Sequence, residues 1–243
     1  MKRTVLTTLV GAAVLALTGC GSMTAADCQL QSSANGPYIV KFTQAGALPA
    51  GCTQTDTPDT FADSWQFDPF ENKLIVAFSL QSTLPIPANN PTPVPPQPDS
   101  PIYGKGHFSE QFPDANDLCT VPSLTTMQID YPTAPSRTYA VTNLQFLSTA
   151  IYLGTEFKGE VTYTNGACSR PYTMQALNPA VQCGTKEDCD PFSQPFASGI
   201  NSKYNTDCIK EAWATDSTGD PDTGYCFFVG EFPSNDGWKP VSP

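Results

Sequence analysis

The chain has 243 residues, with 12 Lys and Arg against 23 Asp and Glu and a formal charge of −11. A surface of that sign repels nucleic acid and anionic lipid headgroups, whose binding depends on Lys and Arg meeting phosphates, so nucleic-acid binding is set aside. Nine cysteines and 24 prolines point to a chain stapled and punctuated by turns rather than built on long helices.

In chain order, Met1-Lys2-Arg3 is a short positive head and Val5 to Leu17 an uncharged apolar run. The run has the length of a secretory core and falls short of the ~20 residues that span a bilayer. It ends in Leu17-Thr18-Gly19-Cys20. This motif resembles the lipobox of bacterial lipoproteins, and the resemblance implies cleavage before Cys20 and lipid attachment to its thiol. Anchoring by two or more acyl chains is stable, at roughly 0.8 kcal/mol per buried methylene. Gly21 rather than Asp follows the cysteine, which by the same resemblance directs the protein to the outer membrane. The plainer alternative is cleavage near Gly21-Ser22-Met23 with Cys20 discarded. The expected organisation is a signal peptide over 1–19, a lipidated tether over 20–27 and a single disulfide-rich β domain over 28–243. Loss of residues 1–19 removes Lys2 and Arg3, leaving ten basic residues against 23 acidic ones, a charge of −13.

Eight cysteines remain after Cys20: Cys28, Cys52, Cys119, Cys168, Cys183, Cys189, Cys208 and Cys226. The even remainder and the lack of any CxxC pair favour disulfides over thiolate metal sites. Connectivity is not readable from spacing. The simplest expectation joins neighbours: Cys28 to Cys52, Cys119 to Cys168, Cys183 to Cys189 and Cys208 to Cys226.

"PYIVKFT" (37–43) and "NKLIVAFSLQ" (72–81) are β-branched and aromatic runs bounded by turn residues, the pattern of strands. Between Leu84 and Pro101 stand eight prolines in eighteen residues, which forbid a helix or central strand. This stretch reads as a long polyproline loop within one domain or, alternatively, a boundary between two. Strand patterns resume in "IYGKGHF", "TMQIDYP" and "RTYAVTNLQFL". Residues 155–177 form a hairpin, with Phe157, Val161 and Tyr163 alternating before an Asn165-Gly166 turn and Tyr172, Met174 and Ala176 after it. "NSKYNTDCIKEAWAT" (201–215) is the best helix candidate and "GYCFFVGEF" (224–232) a last strand. The expected fold is mainly β, an antiparallel β-sandwich or barrel-like domain stapled by disulfides, with one short helix near the C-terminus.

Few residues carry chemistry. The single histidine, His107, excludes two-histidine metal motifs. Ser109 shares its strand face, but no G-x-S-x-G elbow exists to expose a nucleophile. Acidic residues gather at Glu187, Asp188 and Asp190, and at Asp216, Asp220 and Asp222, where oxygen ligands suit calcium as the candidate cofactor. The EF-hand pattern fails, because its sixth position from Asp216 is Pro221 and its twelfth Phe227. Turns in which Asp bonds its own backbone are the plainer reading. Trp65, Phe67, Phe70, Trp213 and Trp238 suit either sugar stacking or a core. "YGKGHF" holds G-x-G alone, too little for a phosphate loop.

"CGTKEDCD", and the order of "HFSEQFPDANDLCTVP", "GTEFKGEVTYTNGAC" and "SGINSKYNTDC" before "GYCFFVGEFP", resemble segments of cysteine-rich surface lipoproteins of bacteria, a group that supplies no catalytic residue to carry over. The functional expectation is a membrane-anchored, non-catalytic binding or envelope-structural domain, with an unknown protein or a glycan as partner. The alternatives are a polymer hydrolase using Asp and Glu and a calcium-dependent carbohydrate-binding module.

Overall fold

The computed structural model describes residues 27–32, 35–70, 74–79, 102–130, 134–149, 153–192, 198–200, 204–211, 222–229 and 232. The Leu17–Cys20 motif, the whole proline-rich stretch from Leu84 to Pro101, Asp216, Asp220, Trp213 and Trp238 lie outside them.

Twelve strands are described: β1 (Tyr38–Gln44), β2 (Thr60–Pro69), β3 (Leu74–Ser79), β4 (Gly104–His107), β5 (Leu118–Ser123), β6 (Met127–Ile129), β7 (Arg137–Ser148), β8 (Leu153–Asn165), β9 (Cys168–Leu177), β10 (Gln182–Cys183), β11 (Thr206–Ile209) and β12 (Gly224–Phe228). Nine of them form one antiparallel sheet in the order β4-β3-β2-β1-β9-β8-β7-β5, with β6 continuing β5 along β7. β3 and β4, which flank the proline-rich stretch, pair with each other.

The sheet nearly closes into a barrel, because its two edges meet. Thr125 N–H donates to the Lys105 carbonyl at 2.8 Å, and Ser109 N–H to that of Thr120 at 2.9 Å. The glycines of "YGKGHF" exist for this seam. A Cβ on Gly106 would lie 2.6 Å from the Ser123 carbonyl and 2.8 Å from a Val121 methyl, so the edges approach only where a side chain is missing.

Strand alternation fills the interior. Tyr38, Val40 and Phe42 on β1 face inward, as do Phe61, Trp65 and Phe67 on β2, Phe157, Val161 and Tyr163 on β8, and Tyr172, Met174 and Ala176 on β9. The rings interlock: Phe42 stacks on Phe61 at 4.3 Å, and Phe67 meets Tyr38, Phe146 and Phe157, each at 5.3 Å. Such pairs add about 0.5–1.5 kcal/mol each beyond their buried area. Among the described residues, the centre of the barrel is a packed core.

The β8–β9 hairpin follows the expected alternation, with its turn one residue later. Asn165 pairs with Cys168, so Gly166-Ala167 is the two-residue turn, and Gly166 takes φ +59° at its first position. That is where a type II′ turn needs glycine.

A second, three-stranded sheet, β10-β12-β11, packs on the outside of the barrel. It covers Ile39, Ala62 and Leu177 with Tyr225, Phe227 and Phe228. The helix expected over 201–215 is corrected here, since Thr206–Ile209 is strand β11, paired to β12 with Cys208 opposite Cys226. The helical element in this part of the chain is a 3-10 turn, Lys186–Cys189. A covalent tie and a strand partner override a weak helical pattern in so short a segment.

The neighbour pairing of cysteines is corrected as well. The disulfides are Cys28–Cys119, Cys52–Cys168, Cys183–Cys208 and Cys189–Cys226. Barrel closure brings residues 91 and 116 positions apart together at the two ends, which spacing along the chain does not reveal.

Candidate functional site

The expected ligand and catalytic residues are scattered. Ser109 Oγ donates to the Thr120 carbonyl at 3.2 Å, serving the barrel seam, and His107 stands exposed at the end of β4. Trp65 and Phe67 are core, and Trp65 Nε1–H donates to the buried Asp63 at 3.2 Å. Phe70 is exposed.

The first acidic cluster is a turn that uses its own carboxylates. Asp188 accepts from the N–H groups of Gly184 at 2.7 Å and Thr185 at 2.8 Å, and these bonds hold its carboxyl below the usual range. Asp190 accepts from Phe192 N–H at 2.8 Å. Of the second cluster only Asp222 is described, and it is exposed. Among the described residues, the one group of three metal-ligating side chains within reach of a common ion is Cys183, Cys189 and Cys226, with sulfurs within 4.8 Å of one another. All three are oxidised in disulfides, and a metal needs thiolate.

Both barrel ends are plugged. At one, Leu30 is buried, Cys28 N–H donates to the Gln111 carbonyl at 2.7 Å, and Tyr38 OH accepts from Gln31 N–H at 3.1 Å while donating to the Gly154 carbonyl. Burial pushes the Tyr38 hydroxyl far above its ordinary value. At the other end stands Arg170, which sequence reasoning missed. It is 2 % exposed and donates to the carbonyls of Gly46 and Thr57, each at 2.9 Å, and to Gln44; it also pairs with Asp59 at 2.8 Å. The only sequence signal was its phase, since position 170 falls in the inward series with Tyr172, Met174 and Ala176.

With the interior filled, the space open to a ligand lies outside. A cleft of about 550 Å³ at the Tyr38 end is lined by Asp27, Leu30, Phe70, Leu74, Phe108 and Gln111, among others. A second, of about 370 Å³, lies on the outer wall. Its floor follows from register. Lys41 on β1 pairs with Gln175 on β9, which pairs with Lys158 on β8, placing the two lysine backbones about 10 Å apart across two strand spacings. Thr43, Thr173 and Glu160 form the next row, and Phe232 is a wall, with Lys158 Nζ 5.1 Å from its ring centre. Two ammonium groups flank an amide in one row, and the exposed Glu160 carboxylate ends the next, so the row of Lys41 and Lys158 is the part that suits an acidic ligand, on a chain otherwise strongly negative.

A disulfide-stapled antiparallel barrel with a packed interior and outward clefts is the class these features define. Residues 36–179 match the family described as MlpA, and the chain belongs to that family. It is also similar to a Myxococcus xanthus protein titled "Putative lipoprotein MlpA", with 34% identity over 96 residues, 40% of this chain and 38% of that one. The chain therefore matches well under half the length of that relative. No solved structure matches.

Proposed function

We propose that the protein is an exported lipoprotein, held to the outer membrane by lipid on Cys20, whose residues 28–243 form one non-catalytic binding domain. The observation that carries this reading is the cysteine ledger. Cys28 to Cys226 are consumed in four disulfides, which fits an oxidising compartment. The ninth cysteine is the one that ends an apolar leader in Leu-Thr-Gly-Cys. The relative's title supports the same reading. On this view the barrel is a rigid body, and the outer cleft between Lys41 and Lys158 meets an acidic partner, a carboxylate-bearing glycan being the simplest.

One experiment with two arms tests it. Cys20→Ala should abolish incorporation of labelled fatty acid and leave the protein unprocessed or soluble; unchanged labelling sinks the anchor. Millimolar oligogalacturonate should raise the melting temperature of the soluble domain by about 3 °C, and Lys41→Gln with Lys158→Gln should remove the shift. If the melt does not move, the barrel's role is structural rather than ligand-binding.

A further inference from the structure

The two disulfides of the small sheet are closer to each other than their function as staples requires. Cys183, Cys189 and Cys226 are buried, with sulfurs mutually within 4.8 Å. Cys183 is bonded to Cys208, and Cys189 to Cys226. Cys208 differs from the other three in being only half-buried. It also stands directly opposite Cys226 in the β11–β12 ladder. Residues directly opposite in an antiparallel pair have Cα atoms about 4.5–5.5 Å apart, inside the window of roughly 4.4–6.8 Å that a disulfide accepts.

We propose that Cys208 is a thiol-reactive site through which the two bonds exchange partners, giving the chain a second disulfide isomer, Cys183–Cys189 with Cys208–Cys226. The chemistry needs a small monothiol as co-reactant and balances as follows. The external thiolate attacks the sulfur of the half-buried Cys208, forming a mixed disulfide and expelling Cys183 as thiolate. Cys183, already within 4.8 Å of Cys189, attacks that sulfur, forming Cys183–Cys189 and expelling Cys226. Cys226 then attacks the mixed disulfide on Cys208, forming Cys208–Cys226 and releasing the external thiolate. No electrons are gained or lost, and the thiol is a catalyst. Attack must begin at Cys208, because the thiolate needs access to a sulfur and the other three are enclosed. The Cys28–Cys119 and Cys52–Cys168 bonds sit at the barrel ends and take no part.

Lys186, Lys203 and Lys210 place the four cysteines on different tryptic peptides, so the isomers are distinguishable by mass. The native oxidised protein, incubated with glutathione under native conditions, quenched in acid and digested without reduction, should show the peptide joining Cys208 to Cys226 at least tenfold above a thiol-free control. The Cys28–Cys119 peptide should stay constant, and Cys52 should stay joined to the 159–186 peptide, which carries both Cys168 and Cys183 because trypsin does not cut Arg170-Pro171, while the third peptide on that assembly changes from the one with Cys208 to the one with Cys189. Finding only the original pairs together with their glutathione adducts and free thiols would overturn the proposal. So would the new pairs arising together with scrambling at the barrel ends, because that outcome reports unfolding.

Discussion

Arg170 shows how one charged residue can sit in an apolar series. Its guanidinium carries donors in several directions and meets the half-buried Gly46 and buried Thr57 carbonyls of the 45–59 segment. Arg170→Met keeps the length and removes those bonds. At about 1–3 kcal/mol for each carbonyl left unsatisfied, the variant should lose about 3 kcal/mol in urea unfolding, and a loss under ~1 kcal/mol would show that the loop is held by its disulfide alone. Asp59 adds a pH dependence. Its carboxyl is held below the usual range by the Gln54 side chain first and Arg170 second, and Asp56 is held low by Thr53. A depressed folded value means that the contribution is complete above the unfolded value of about 3.9 and is lost as pH falls through the folded one. The urea midpoint should thus be level down to about pH 5 and fall below pH 4, less steeply in Asp59→Asn. Burial raises Tyr172 to about 12, so its linkage has the opposite sign, with stability lost as pH rises above about 10.

Strand alternation was the most legible feature of the sequence, and the seam the least. Phe157, Val161 and Tyr163, and Tyr172, Met174 and Ala176, announce their inward face by period alone. β2 was harder, since "TFADSWQFDP" places Asp63 in its inward phase and reads as a broken pattern; the acid is accommodated by the Trp65 indole. β11 and the disulfide connectivity depend on which segments meet in space, and local periodicity holds no such information. The cleft between Lys41 and Lys158 was invisible for the same reason, because 117 positions separate two residues that the β1-β9-β8 register places in one row. Gly104 and Gly106, too little for a phosphate loop in the sequence, prove to be the closure of the barrel. Gly106→Val would press a branched side chain into the Ser123 carbonyl and Leu124. It should cost at least about 2 kcal/mol and speed amide exchange at Thr125 and Ser109, the seam donors. Unchanged exchange there would mean that the edges are joined by something other than their close approach.

Over the whole molecule, each barrel end has its own covalent staple, and the two are energetically separable. Cys52–Cys168 closes a long loop in the unfolded chain, for which chain-entropy estimates give about 4–5 kcal/mol. Replacing both cysteines by serine should lower stability by about that amount and loosen residues 45–59, leaving protection at Gln31 and Gly154 at the opposite end unchanged. Equal loosening at both ends would show the barrel to be one cooperative unit. The staple at the Tyr38 end has a mechanical consequence. A pull on the chain ahead of Cys28 divides there, one path running along the backbone into β1 and the other through sulfur into β5. In the strand order β4-β3-β2-β1-β9-β8-β7-β5 these two are four places apart, so in a nearly closed wall of eight positions they stand on opposite sides. Tension is thereby shared across the diameter of the barrel, between the central strand β1 and the edge strand β5, rather than carried by either alone.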